Sequence, residues 1–251
     1  MAAKTEVITM QDEISVLEHF LKMPLNNAES VLDEFRKLDG AKYYPSSSPI
    51  DKDSFVYVPG TRKDRVLLVA HADTFFDYPE ALGSIVIEEG TYFSGSKGLG
   101  IGADDRAGCA ILWLLRDMGH SLLVTNSEEY GSLAAMRIAA RLPQLYDELN
   151  GHCYMIEFDR RHADDYKTYN IPVSDDFRRF IEASTGYHDA GKASSTDIVH
   201  LCGEICGVNL SVGYYYEHTP DECLVPGEWI NTLNIARKML ALPQKRFPLA
   251  V

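Results

Sequence analysis

Five places in the chain carry side chains able to hold a divalent cation or move a proton: His71-Ala-Asp73, Asp104-Asp105, Glu128-Glu129, Asp159 and His218. His71 and Asp73 stand two residues apart at the end of an extended run, which places both side chains on one face. The carboxylate can then accept the hydrogen bond of whichever imidazole nitrogen is not on a metal, and so fix the tautomer. Glu128 and Glu129 follow another apolar run, where adjacent carboxylates repel each other unless a cation lies close. With a metal present, one of the two can bind it while the other acts as general base. Singly, each group has an ordinary structural reading: a strand end and turn at His71-Asp73, a solvated turn at Glu128-Glu129, a helix N-cap at Asp104-Asp105. One ligand from each place makes three carboxylates and two histidines, a mix that suits zinc and related divalent ions. A carboxylate shared between two ions about 3.5–4 Å apart is the usual co-catalytic arrangement.

The elements that must position these groups are readable from hydrophobic period. Helical spacing predicts helices over Asp12–Lys22 and Ala28–Leu38, separated by Pro24 and Asn26. After the loop YYPSSSPIDKD, Phe55–Val58 and Arg65–Ala70 read as strands, the second a short apolar run suited to a central sheet. Ser84–Glu88 and Thr91–Ser94 read as a hairpin, Arg106–Met118 as a buried helix, Ser121–Thr125 as a strand, Leu133–Leu149 as one helix and Cys153–Phe158 as a strand. Ser174 is a plausible N-cap, Val208–Tyr216 reads as a single strand, and Pro226–Leu242 as a closing helix. Alternation of strand and helix predicts a three-layer αβα sandwich around a mostly parallel central mixed sheet. Ligands in such folds collect beyond the carboxyl ends of the strands, where the candidate residues fall.

Composition removes several function classes. The 251 residues include 24 Lys+Arg against 37 Asp+Glu, a formal net charge of −13. That charge argues against a nucleic-acid partner, because phosphate binding needs a basic surface. The longest apolar stretch, Ala107 to Leu115, is about half of what a bilayer span requires, so no membrane partner is expected. The opening MAAKTEVITMQDE carries acids where a secretory signal has its apolar core, and five cysteines form no disulfide framework; both predict a cytoplasmic protein. No repeat or linker divides the chain, so a single catalytic domain over 1–251 is expected, with a helical segment of about 1–40 packed on its core.

HAD, GADDRAG, SEEYGS, IEFD and YYYEHTPDE follow one another in the order, and with roughly the separations, of a known family. The chain resembles the di-zinc exopeptidases: the zinc aminopeptidases, peptidase T and the glutamate carboxypeptidases. The match runs from His71 to about Glu222, and GADD with SEE is its most specific part. The resemblance implies a phosphorylase/hydrolase-like zinc-peptidase core with two Zn2+ per chain, in sites that also accept Co2+ or Mn2+. By the same resemblance His71, Asp104 and Asp159 bind one ion and Asp104, Glu129 and His218 the other. Asp104 would bridge, Asp73 would partner His71, Glu128 would be the general base, and the Asp104-Asp105 peptide would be cis. The carboxypeptidase and peptidase T branches carry a lid domain of about a hundred residues, the size of a small domain, before the last histidine. Only 59 positions separate Asp159 from His218, so the chain looks like the catalytic core alone.

The activity implied is that of an aminopeptidase hydrolysing short peptides through a bridging zinc-bound water, with Glu128 as the base. The same core can serve an N-acyl amino acid deacylase or a glutaminyl cyclase, and a non-catalytic binding protein can keep the fold without activity. The substrate is accordingly a short peptide or an N-substituted amino acid, and a homo-oligomer can supply what the lid would have. Asp197, in Ser194-Ser-Thr-Asp197, reads either as a group supporting the site or as a turn residue. The alternating faces of Tyr214-Tyr215-Tyr216 place at least one ring in the cleft if His218 is a ligand, with sheet packing as the other reading. His162, His188 and His200 have no partner at telling spacing.

Overall fold

Leu67–His71 and Ser121–Thr125 are buried along their whole length, and continuous apolar strands of this kind pair best inside a parallel sheet covered on both faces. The computed structural model describes residues 9–48, 50–78 and 81–250, so the first eight residues of the expected N-terminal segment lie outside it. The chain opens with α1 (Met10–Leu21), α2 (Ala28–Phe35), β1 (Lys42–Tyr44), β2 (Phe55–Val58) and β3 (Leu67–His71). The hairpin β4 (Ile85–Glu88) and β5 (Thr91–Ser94) precedes α3 (Ala103–Leu115), β6 (Ser121–Thr125), α4 (Leu133–Arg141), α5 (Pro143–Asn150) and β7 (Met155–Arg160). Then come β8 (Asp165–Lys167), α6 (Asp175–Thr185), β9 (His188–Asp189), α7 (Asp197–Leu201), β10 (Gly207–Ser211), β11 (Tyr214–Tyr215), β12 (Cys223–Leu224) and α8 (Pro226–Ala241).

Eight strands form the main sheet in the order β1-β2-β6-β3-β7-β10-β8-β9. The four at its centre, β6, β3, β7 and β10, run parallel, while β2 and β8 flank them antiparallel. Helices α1, α3, α6 and α8 pack together on one face and α4, α5 and α7 on the other, which gives the three expected layers. A small antiparallel sheet, β11-β12-β5-β4, stands beside the first. Residues 160–217 hold β8, α6, β9, α7, β10 and β11, elements of these layers and sheets rather than an inserted lid. No described helix is long and apolar enough to cross a membrane.

α1 begins where Thr9 accepts from the backbone N–H of Asp12 and the Asp12 carboxylate accepts from the Thr9 N–H, a reciprocal cap. Its Leu17, Phe20 and Leu21 are fully buried, and Phe20 meets Phe35 of α2 and Trp113 of α3 with ring centroids 6.0 and 6.2 Å apart.

Two expected elements are divided. The helix expected over Leu133–Leu149 breaks at Leu142, because Pro143 pushes the residue before it out of helical geometry and has no N–H to continue the ladder. The strand expected over Val208–Tyr216 ends at Ser211. Gly213, at φ 88, turns the chain there so that Tyr214 and Tyr215 join the small sheet instead. The short strands β1, β8, β9 and β12 and the five-residue helix α7 had no periodic signal in the sequence.

Two buried histidines pin the edge of the sheet away from the candidate residues. His120 Nδ1 accepts from the Val66 N–H at 3.0 Å, so its Nε2–H donates to the Leu240 carbonyl at 3.0 Å. His152 Nδ1–H donates to the Leu149 carbonyl at 2.8 Å, leaving Nε2 to accept from the Ser121 hydroxyl at 2.7 Å. Burial pushes the His152 imidazole down to about 4 from an ordinary 6.5. Above pH 6.5 neither the folded nor the unfolded chain protonates this group. Between about 6.5 and 4 the unfolded chain takes up a proton that the folded chain refuses, and up to about 3 kcal/mol of stability is lost across that window. Urea unfolding at pH 7.5 and 4.5 checks this: His152→Asn should be less stable than wild type at pH 7.5 and should lose less stability on acidification.

Candidate metal centre

The parallel strands end on one edge of the sheet, and the loops leaving β3, β6, β7 and β11 bring the candidate groups together there. His71, the last residue of β3, is pinned by its N–H donating to Asp105 Oδ2 at 3.1 Å. Its Nδ1 faces the Asp73 carbonyl at 3.1 Å and the Asp73 carboxylate at 3.4 Å, both acceptors, so this nitrogen holds the proton. The Asp73 carboxylate makes its closer contacts elsewhere, accepting from the N–H groups of Glu128 at 3.1 Å and Glu129 at 3.2 Å. One residue, by its carbonyl and its carboxylate, thus fixes both His71 and the backbone that presents the two glutamates.

Asp104 opens α3. Its N–H donates to Glu222 Oε1 at 3.0 Å, the Gly102 N–H donates to Glu222 Oε2 at 2.8 Å, and the Asp104-Asp105 peptide is cis. Asp105 turns back to accept from the N–H groups of His71 and Gly108. A Cβ at Gly108 would collide with the Phe158 carbonyl oxygen and with the Asp105 carboxylate, so the second glycine of GADDRAG lets α3 approach β7. Asp159, near the end of β7, is held by its N–H donating to Asn209 Oδ1 at 2.9 Å and by the Thr196 hydroxyl donating to Oδ2 at 3.1 Å. The Tyr214 hydroxyl reaches its carbonyl at 3.2 Å, so Tyr214 is the ring of the Tyr214–Tyr216 run that enters the cleft.

The two oxygens of Asp104 divide between two histidines. Oδ1 lies 3.0 Å from His71 Nε2 and Oδ2 lies 3.2 Å from His218 Nε2. Asp159 Oδ1 is 3.4 Å from His71 Nε2, and Glu129 Oε2 is 2.9 Å from His218 Nε2. His71, Asp104 and Asp159 form one convergent triad and Asp104, Glu129 and His218 a second. Glu128 Oε2 stands 4.0 Å from His71 Nε2 and accepts no hydrogen bond from any described residue.

These donors fit divalent cations. Nitrogen and oxygen ligands about 2.0–2.1 Å from a tetrahedral zinc lie about 3.3 Å from one another, close to the separations within each triad. With the proton on His71 Nδ1, the lone pair of Nε2 faces two carboxylates, an arrangement that a cation between them, or a second proton on the ring, relieves. No described Lys or Arg pairs with Asp104, Glu128, Glu129 or Asp159, and Glu129 Oε1 is buried without a partner among the described residues. With the protein's own groups alone, the electrostatics are strained in the way that acidic metal sites show. Burial pushes the carboxyls of Glu128 and Glu129 up, and Asp159 up to about 6 with help from the charge of Asp104. Hydrogen bonds to Asp104 and Glu129 push the His218 imidazole up to about 11.

Beneath the site lie Glu157 and Asp197, both fully buried, with burial pushing Asp197 up to about 6. Asp197 begins α7 and accepts from the Thr125 hydroxyl, while the residue before it, Thr196, is the one that touches Asp159. His162, His188 and His200 stand apart from both triads. Sequence reasoning did not single out Glu222, Thr196, Asn209 or Phe75; only the motif HTPDE, with its late acid, hinted at Glu222. A cavity of about 150 Å³ opens over the cluster, bounded by Glu128, Arg161, Tyr169, Ser194, Tyr214 and His218. A larger one of about 260 Å³, on the far side of Asp73, meets none of the six converging groups.

No family model and no curated protein sequence matches the chain. Solved structures do. Aminopeptidase PepT from Bacillus cereus ATCC 10987 superimposes with a TM-score of 0.69 at 12% identity, covering 93% of this chain and 98% of that one. The chain shares the fold of that aminopeptidase and of other solved peptidases. The TET1 peptidase of Pyrococcus horikoshii gives 0.61 at 13% identity, covering 92% of this chain and 99% of its own. An Acidobacteriales bacterium glutaminyl cyclase gives 0.63 at 10%, with coverages of 97% and 98%.

The shared position of Asp104 generates a test. After dialysis against buffered zinc, mass-spectrometric metal analysis should find Asp104→Ala depleted in both ions, whereas His218→Ala keeps the one beside His71.

Proposed function

We propose that the chain is a zinc-dependent exopeptidase, an aminopeptidase that hydrolyses short peptides as a single catalytic domain. The observation that carries this reading is the Asp104 carboxylate, shared between His71 at 3.0 Å and His218 at 3.2 Å with a further carboxylate completing each triad. His71, Asp104 and Asp159 hold one Zn2+ and Asp104, Glu129 and His218 the other, and Co2+ or Mn2+ can substitute. When bound, the pair supplies Lewis-acid polarisation of a carbonyl and acidifies water.

The remaining chemistry belongs to the protein. Glu128, whose carboxylate accepts no hydrogen bond from a described residue and lies close to His71, takes a proton from the attacking water and delivers it to the leaving amine nitrogen. Asp73 sets the tautomer of His71 and, through the N–H groups of Glu128 and Glu129, the distance of the base from the ligand set. The walls of the cavity, Tyr169 and Tyr214 among them, keep the substrate's carbonyl over Glu128 and restrict water. The absence of a lid between Asp159 and His218 favours an aminopeptidase over a carboxypeptidase, whose carboxylate-binding groups would come from such a domain. Five free cysteines support a reducing, cytoplasmic setting. The TET1 peptidase can assemble into a tetrahedron or a large octahedral shell, which supports a homo-oligomer here as well.

The glutaminyl cyclase of the same fold makes cyclisation, or deacylation of N-acyl amino acids, the second reading. A panel of aminoacyl amides, N-acetyl amino acids and glutaminyl peptides, each with and without chelator, separates these activities; chelator-sensitive release from the aminoacyl amides is expected. No turnover of any member by protein holding two ions would leave a binding protein. Glu128→Ala should retain both ions and lose about 10²–10⁴-fold in kcat. Near wild-type turnover by that variant would remove Glu128 from the mechanism.

A further inference from the structure

His218 differs from the other members of the cluster. The side chains of His71, Asp104, Asp159, Glu128 and Glu129 are at most 15% exposed, whereas that of His218 is 43% exposed. It sits at φ 63 in the turn after β11. A metal-binding histidine ordinarily donates its second ring N–H to a carboxylate or carbonyl that fixes the ring plane. His71 has that partner in Asp73, but no described residue accepts from His218 Nδ1.

Phe75 instead packs on the face of that ring. Its ring stacks on the His218 imidazole with centroids 4.8 Å apart and planes 16° apart, although Phe75 itself is 46% exposed and fills no core. The ring is anchored from behind by Phe76, 5.7 Å away and edge-on, and Phe76 is buried against Leu25 and Ala81. The segment is tied down on both sides. The Thr74 hydroxyl donates to the Leu25 carbonyl at 3.1 Å, and Asp77 pairs with Lys52 and accepts from the Tyr130 hydroxyl.

We propose that Phe75 is a positioning residue that orients His218 for its cation, in place of a hydrogen bond. A near-parallel stack fixes the plane of the imidazole, and Nε2 lies in that plane, aimed at Asp104 Oδ2 and Glu129 Oε2. An imidazole bound to a cation is electron-poor, so the negative face of an aromatic ring attracts it more than it attracts the free base. The ring also shields a ligand that would otherwise meet water on both faces. The turn leaving β3 therefore places both histidines, His71 by the chain and His218 by the stack. This inference rests on the two-cation reading above.

Metal-free protein titrated with zinc against a competing chelator, and with Co2+ followed by its visible absorption, tests it in wild type, Phe75→Ala, Phe75→Tyr and His218→Ala. Wild type should bind two ions. Phe75→Ala should hold the first unchanged and weaken the second by about tenfold or more, the loss usual for groups that orient a ligand, with an altered Co2+ spectrum for that second ion alone. Phe75→Tyr, which keeps the ring, should restore both, and His218→Ala should show the first ion alone. Wild-type affinity for both ions in Phe75→Ala overturns the inference, as does equal weakening of both ions or failure of Phe75→Tyr to rescue. Wild-type protein that binds no ion overturns instead the two-cation reading, and the inference falls with it.

Discussion

A carboxylate buried between two imidazoles has both oxygens committed, and a small rotation of its peptide would pull it off one partner. Asp104 is in that position, and much of the surrounding structure restrains it. Glu222 accepts from its N–H and from that of Gly102, so the turn into α3 is held from the late HTPDE segment. Asp105 ties the same turn to the backbone of β3 through the His71 N–H. Gly108 brings α3 against β7, whose end carries Asp159. Displacing any of these contacts moves the one group that both triads share.

The sheet supplies the frame. β3, β6 and β7 are parallel neighbours, so their carboxyl ends lie side by side and the loops that leave them start from adjacent points. Parallel pairing inside covered layers makes those starting points rigid, because strands buried on both faces have no freedom to shift register. The cost is electrostatic. Asp73, Asp104, Asp105, Glu128, Glu129, Asp159, Glu157, Asp197 and Glu222 all lie at or below this edge, and Arg106, buried beside them, leaves two of its nitrogens without partners among the described residues. A site so rich in carboxylates favours cations strongly, in keeping with a net charge of −13.

The two triads are built unequally. His71 is sealed in the core, its tautomer set by Asp73 and its backbone by Asp105. His218 arrives on a turn at the surface and meets a ring instead of a hydrogen bond. Side chains that come from a buried strand inherit its order, whereas one that comes from a surface turn must be ordered by whatever packs on it.

The order of layers, the central strands and the convergence of His71, Asp104, Glu128, Glu129, Asp159 and His218 were legible in the chain itself. Apolar period places the strands, and each acidic or histidine group sits in sequence near an element end. Short-range chemistry was legible too, as in the Ser174 cap, whose hydroxyl accepts from the Phe177 N–H, and the face shared by His71 and Asp73. Other features depend on residues far apart in the chain, and local pattern carries no record of them. Pro143 divides a helix whose apolar spacing runs on through it, and Gly213 sends Tyr214 into a second sheet whose partner strand is Cys223–Leu224. The STD segment drew attention to Asp197, yet packing of α7 places Thr196 on Asp159. Which oxygen of Asp104 faces which histidine, which acid holds its peptide, and which ring lies on His218 are matters of approach between β3, α3 and the turn after β11. Sequence by itself determined the kinds of side chain that meet at the site and the strands that carry them, because those follow from side-chain chemistry and local period. Tertiary structure decided their orientation, because a hydrogen bond or a stack between residues more than a hundred positions apart exists only once the layers have closed.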